Sequence, residues 1–388
     1  MKILFITNRI PYPAIDGATK ATSQLLEFFV NQGIKITLFA LDTSKHPGNR
    51  NSIPMTVTSI FNDIDNSIKP LSALKALLQN KSYNISRFDS PAIHLSLRET
   101  LQKERFDLIH FENLYVSPYL PTVKACTNAP CILRMHNIEH QIWQRLFRQE
   151  NNPVKKAYLK ILSNQLKTFE EKTIKKFEGH LAISNKDQIY LKALGIKKSY
   201  WLPYCVEEAE DSTHGKNIGF IGSMDWPPNI EAVEYLLREI WPLVWQKNQN
   251  SQLLIAGRKM PDKLLNVSIP GVSVLGEIER INDFYDRIHT LAIPLLSGGG
   301  MRIKMIEAMQ LGKAVVSTPI GAEGILEKSS FGTVLSALPD KFAEALIENI
   351  QDKTATEAKG IENKKFVQEH FLMSQVGKKL IDYYRQFL

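Results

Sequence analysis

The chain has 388 residues, 44% of them hydrophobic and 23% charged, a balance that excludes a disordered or fibrous protein and favours two ordinary domains over one. Its 48 Lys and Arg against 40 Asp and Glu leave a formal charge of +8, which points to anionic partners such as nucleotide phosphates or an acidic membrane surface. Nucleic acid is not expected, because no helix-turn-helix, zinc-finger or aromatic RNA-binding signature accompanies the charge.

From the N-terminus, Lys2–Thr7 reads as a short apolar strand, 19–30 has the apolar spacing of a helix that Gly33 would stop, and 35–40 is a second β-rich run. Further apolar runs at 106–111, Cys131–Met135 and 180–184 alternate with helical segments, which predicts a parallel sheet in one doubly wound domain over residues 1–200. Within it, basic residues crowd 155–198, but Glu170, Glu171, Glu178 and Asp187 interleave with them, so a solvated helix face comes before membrane contact as the reading. Residues 201–210 contain Pro203 and lose periodicity, as a linker would. A second series, Asn217–Ile221, Leu253–Ala256, 271–275, 291–294 and 314–318, predicts another Rossmann-like domain over 211–364. The amphipathic end, 365–388, is expected to pack back on the first domain as a helix.

No apolar run approaches the ~20 residues that span a bilayer, and Met1–Thr7 is too short for a signal peptide, so a cytoplasmic protein is expected. Cys126, Cys131 and Cys205 are odd in number and lack metal-type spacing, which argues against both a disulfide framework and a structural zinc. Oligomeric state is not legible.

The densest chemical cluster is Ser297-Gly298-Gly299-Gly300-Met301-Arg302-Ile303-Lys304-Met305-Ile306-Glu307. It follows a strand and opens a helix, where free N–H groups and the positive dipole end favour phosphate. Gly298, Gly299 and Gly300 permit close backbone approach, Arg302 can fork onto two oxygens, and Lys304 adds a flexible point charge. Glu307, one turn inside the helix, is placed to accept from ribose hydroxyls. A glycine turn followed by a surface Lys–Glu pair is the competing reading.

Extended through Ala308-Met309, the run Leu311 to Thr318, and Gly321-Ala322-Glu323-Gly324, this segment resembles the donor-site signature of the family-four retaining glycosyltransferases. The resemblance also covers Gly17, the strand end at His110, Ala182-Ile183-Ser184, Pro203 to Glu207 and Ile255 to Arg258. It implies an α/β protein of the GT-B fold, two Rossmann-like doubly wound domains facing across a cleft. It further implies a nucleotide-diphosphate-sugar donor, a glycan or lipid-linked acceptor, surface polysaccharide or glycoconjugate synthesis, and neither cofactor nor metal. In that family two glutamates flank the donor segment; Glu307 matches the second, and the first falls on Gly299. At Gly222-Ser223-Met224, where many members carry an Arg and a Lys for the pyrophosphate, the charge is missing, and Arg258, Arg302 and Lys304 are expected to supply it. Tyr204 and Cys205 stand where Asn and Gly are common in the linker.

In the first domain, His110 and His136 fall at strand ends, facing the crevice of a doubly wound sheet, with a structural histidine as the competing reading of each. By resemblance His136 lies near the reacting sugar and is catalytic with Arg302 and Lys304, Glu112 stands where some members carry a histidine, and Gly17 and Lys20 belong with His110 and Glu112 to the acceptor side, although an N-cap turn with a solvated Lys is the competing reading of Gly17 and Lys20. Two other patterns compete. His136-Asn137-Ile138-Glu139-His140 matches the zinc-peptidase form H-x-x-E-H, which needs a helix to bring both rings to one side. Asp63-Ile64-Asp65 has the Asp-x-Asp form of metal-dependent transferases but reads as a solvated loop. A sugar-nucleotide-binding protein that no longer transfers and an epimerase are the remaining alternatives.

Overall fold

The computed structural model describes residues 1–44, 48–209, 215–298, 300–326, 329 and 332–388. The chain divides into two units, Met1–Pro203 with Gly377–Leu388, and Tyr204–Val376. Each contains a parallel sheet of Rossmann type, so the α/β class and the doubly wound architecture are as expected.

The first sheet has seven strands: β1 (Lys2–Thr7), β2 (Lys35–Thr43), β3 (Thr58–Ile64), β4 (Leu108–Glu112), β5 (Cys131–Met135), β6 (Gly179–Ala182) and β7 (Ser199–Trp201), in the order β3-β2-β1-β4-β5-β6-β7. Central strands covered on both faces lose the alternation of apolar and polar residues. Ile3, Leu4, Phe5 and Ile6 of β1 are accordingly all fully buried. The helix Gly17–Asn31 begins where Asp16 accepts the Thr19 N–H and Thr19 returns the bond through its hydroxyl, a capping box.

Strand β3 corrects one expectation. Asp63 and Ile64 lie in this edge strand and only Asp65 lies beyond it. Its half-buried, polar sequence, Thr-Ser-Ile-Phe-Asn-Asp-Ile, hides the β periodicity that an internal strand displays.

The second sheet comprises β8 (Asn217–Ile221), β9 (Leu253–Ala256), β10 (Val272–Gly276), β11 (Ile288–Ile293), β12 (Ala314–Ser317) and β13 (Thr333–Leu335), ordered β10-β9-β8-β11-β12-β13. The end of the chain also differs from the single returning helix expected over 365–388. Residues 365–370 finish the helix Lys353–His370 in the second unit, and Leu372 pairs with Val206 in an isolated parallel bridge. A separate helix, Met373–Arg385, follows, and its residues from Gly377 onward belong to the first unit. There Tyr384 reaches His110, while the Tyr383 hydroxyl accepts the His180 N–H and donates to the Lys198 carbonyl, both at 3.0 Å.

Candidate functional site

In a doubly wound sheet ligands settle beyond the carboxyl ends of the two strands at which the strand order reverses. In the second unit those strands are β8 and β11. After β8 comes Gly222, packed so tightly on Gly257 that a Cβ at 257 would stand 1.8 Å from the Gly222 carbonyl oxygen. After β11 the chain runs through Gly298 and Gly300, with φ of 103° and 86°, to the helix Ile303–Gln310. A Cβ at 298 would also meet the Trp226 indole at 2.8 Å. Gly298 is thus required both by its backbone conformation and by its neighbour.

Arg302 is the N-cap residue of that helix, in extended conformation, and its guanidinium lies 5.0 Å over the Trp226 ring. Lys304 is not the flexible point charge expected from the sequence. Its Nζ donates to the Ile221 carbonyl at 2.6 Å and to Asn229 Oδ1 at 3.0 Å, above the Phe220 ring. The ammonium is thereby fixed at the carboxyl end of β8, beside the Gly222-Ser223-Met224 segment that lacks its own cation. Burial, reinforced by the Arg302 charge, pushes Lys304 down to about 7.

Arg258 is exposed beyond β9, and its carbonyl accepts the Met224 N–H at 2.9 Å. Glu307 stands half-buried beside Tyr204 and Tyr285; burial and then the Glu307 charge raise both phenols. Gly299 lies outside the described residues.

The first unit has its own reversal, between β1 and β4. At the carboxyl ends of these strands is a cavity of about 220 Å³ whose wall includes Thr7, Arg9, Thr22, Arg87, Glu112 and His136. Glu112 is at its base, 1% exposed. One carboxylate oxygen meets Arg134 Nη1 at 3.0 Å, His136 Nε2 at 2.7 Å and the Thr22 hydroxyl at 2.9 Å; the other meets His110 Nε2 at 2.6 Å. Burial alone would raise this carboxyl, but Arg134 and His136 outweigh it and hold it well below the usual range.

An ionised carboxylate only accepts, so the facing Nε2 of both histidines must carry hydrogen. His110 Nδ1 then accepts from the Tyr384 hydroxyl at 2.6 Å, and the ring is stacked on Phe5 at 4.1 Å. This corrects the expected role of His110: it is fully buried and positions Glu112 instead of facing the crevice. His136 does line the cavity. Gly17 is the first residue of its helix and, like Lys20, is off the cavity wall; Ala18, Thr19 and Thr22 line it from that helix instead. Arg9 is held by Asp16 through two bonds of 2.8 Å, whereas the Arg87 Nε is buried with no hydrogen-bond partner among the described residues.

The two competing motifs dissolve in this geometry. His136 precedes the helix Glu139–Gln149 and turns to Glu112, while His140 Nδ1 meets Glu170 at 2.7 Å, so the rings serve different carboxylates. Glu170 also accepts the Glu139 and His140 N–H groups, capping that helix from the side. Asp63 is paired with Arg50, and Asp65 with Lys69 at 2.8 Å.

Sequence reasoning passed over Trp226, Asn229, Thr22, Arg134 and Tyr384, all of which shape the two sites. Only the first pair had a local signal: Trp226-Pro227-Pro228-Asn229 puts proline at the start of the helix after β8.

Residues 15–206 match the family described as Glycosyltransferase Family 4, and residues 215–352 match that described as Glycosyl transferases group 1. An uncharacterized 44.6 kDa protein in the cps region of Klebsiella pneumoniae is 25% identical, over 95% of this chain and 96% of its own length. Among solved structures, sucrose-phosphate synthase from Thermosynechococcus elongatus is similar with a TM-score of 0.71 at 14% identity, covering 100% of this chain and 99% of that one. HepE of Anabaena, in complex with UDP and glucose, gives 0.62 at 14% identity and 98% of each chain. With the two family matches together spanning most of its length and its fold that of the GT-B glycosyltransferases, the chain belongs to the glycosyltransferases of group 1 and family 4.

Proposed function

We propose that the protein transfers a hexosyl or related group from a nucleotide diphosphate sugar, bound by the second unit, to a glycan or lipid-linked acceptor received by the cavity of the first. The observation that carries this reading is the placement of Lys304. Its anchored ammonium and the Arg302 guanidinium stand where β8 and β11 end, beside a glycine turn. Fixed cations gathered where two neighbouring strands end are what a diphosphate requires. Arg258 adds exposed positive charge, and Glu307 takes the ribose hydroxyls. The UDP and glucose of the HepE complex favour a uridine diphosphate sugar.

In the transfer, an acceptor hydroxyl oxygen bonds to the anomeric carbon as the bond from that carbon to the diphosphate breaks. The acceptor proton passes to the departing phosphate oxygen, and the nucleoside diphosphate leaves. Arg302 and Lys304 stabilise the charge that develops on it, a task preorganised cations perform without a metal ion. His136, with Nε2–H committed to Glu112, stands on the wall of the cavity that receives the acceptor. Retention follows the family resemblance, as does a role in surface polysaccharide or glycoconjugate synthesis.

Calorimetric titration of UDP into the wild type, Arg302→Ala and Glu307→Ala tests the assignment. Each substitution should weaken binding by about tenfold or more, in line with a lost charge-assisted bond, and transfer should persist in EDTA. Unchanged affinity in both variants would sink the donor assignment.

A further inference from the structure

The helix Pro70–Leu78, Pro-Leu-Ser-Ala-Leu-Lys-Ala-Leu-Leu, is turned inside out. Its inward side carries Ala73, Ala76 and Leu77, and only Ala76 is buried. Leu71, Leu74 and Leu78, spaced three and four apart and therefore on one face, point to solvent with exposures of 83%, 53% and 79%. Ile68 just before the helix is 71% exposed. A globular protein ordinarily turns the leucine face of a helix inward, so an isolated surface leucine needs no account but a face of them does.

A second apolar stripe lies alongside. On the helix Pro153–Ile174, Val154, Tyr158 and Ile161 recur at i, i+4 and i+7 and are all exposed. The two helices are tied together, because Gln165 Nε2 donates to the Leu77 carbonyl at 3.2 Å and the Tyr83 hydroxyl accepts the Lys69 N–H at 2.7 Å while Tyr83 sits close enough to Tyr158 to raise its phenol further after burial. Positive charge predominates beside these stripes. Residues 66–81 contain Lys69, Lys75 and Lys81, residues 151–168 contain Lys155, Lys156, Lys160 and Lys167, and neither segment has an acidic residue. Lys69, Lys155 and Lys167 pair with Asp65, Glu150 and Glu171 just outside these segments, whereas Lys75, Lys81 and Lys160 are exposed and form no ion pair among the described residues.

From the leucine face, the adjoining stripe and the lysines that rim both, we infer that this side of the first unit docks on an anionic membrane surface, with Leu71, Leu74 and Leu78 inserted at the headgroup level. Apolar residues flanked by lysines are what such a surface recognises: acyl chains take the leucines, and lipid phosphates take the ammonium groups. A protein groove of ordinary composition would satisfy the apolar part and leave the unpaired Lys75, Lys81 and Lys160 unmatched. The inference is independent of the donor assignment, which concerns the other unit.

Flotation with vesicles of pure phosphatidylcholine and of an equimolar mixture with phosphatidylglycerol tests it. The wild type should prefer the anionic vesicles by more than about tenfold, and salt should weaken that preference. L71E/L74E should abolish binding to both. K75E/K81E/K160E should remove the preference for anionic lipid. Both variants change exposed side chains and should keep the wild-type melting temperature and UDP affinity, so a failure of the membrane inference is separable from a failure of the donor site. Equal flotation of the wild type and L71E/L74E would overturn the inference. So would a wild-type dimer in sedimentation that L71E/L74E renders monomeric, since the leucines would then cover a second copy.

Discussion

Replacing Lys304 by Met tests the proposed donor site where its geometry is most specific. The Nζ is 2.6 Å from the Ile221 carbonyl and 3.0 Å from Asn229 Oδ1, leaving its third N–H for a ligand oxygen. A hydrogen bond to a charged group contributes about 1.5–3 kcal/mol, so K304M should weaken UDP binding by about 10- to 150-fold. The pH dependence supplies a sharper signature. With its own pKa pushed to about 7, Lys304 loses its proton over the range in which the nucleotide binds, and the diphosphate selects the charged form. Wild-type affinity should therefore fall as pH rises from about 7 towards 9, approaching a decade per pH unit, while K304M should show a flat profile. Stability follows the opposite sense. The folded pKa is below the unfolded value of 10.5, so between about 7 and 10.5 the unfolded chain binds more protons and the wild type gains stability as pH rises. K304M should lack that gain. Calorimetry at several pH values, with thermal melts alongside, measures both; a K304M titration with wild-type affinity and wild-type slope would refute the placement of the ammonium beside the diphosphate.

Glu112→Gln removes the charge that Arg134 and His136 share at the base of the cavity. Leaving a buried guanidinium uncompensated should cost about 3–5 kcal/mol of stability, read by chemical denaturation. Because the folded pKa of Glu112 is depressed from its ordinary 4.5, its contribution is complete above that value and is lost as pH falls below it. The variant should therefore lack this acid-induced loss, and an identical acid limb in both proteins counts against the network. His136→Ala should lower kcat more than donor affinity, measured by steady-state transfer beside UDP calorimetry; equal losses would make His136 a binding residue.

Much of the fold was legible because buried parallel strands write themselves as short apolar runs. β1, β4, β5, β8, β9, β11 and β12 all fall on such runs. β3, β7 and β13 are at sheet edges and partly solvated, and their polar residues carried no periodic signal. Local pattern also marked the glycine loop before the helix Ile303–Gln310, since glycine, cation and helix start are neighbours in the chain. The same pattern could not say where Lys304 points: Asn229 is 75 residues away in sequence, and only the pairing of β8 with β11 brings it near.

The sequence by itself determined two Rossmann-like series of strands and a phosphate-type loop at 298–307, because strand burial and glycine turns are local properties. Tertiary structure decided the roles of the charged groups. His110 at a strand end reads as a crevice residue until Tyr384, 274 positions later, closes over it. Leu71, Leu74 and Leu78 of the helix Pro70–Leu78 face solvent only because packing chooses Ala76 for the inside. Desolvation and pairing depend on neighbours distant in the chain, so neither the ionisation of Glu112 and Lys304 nor the solvent-facing leucines could be read before the folded neighbours were known.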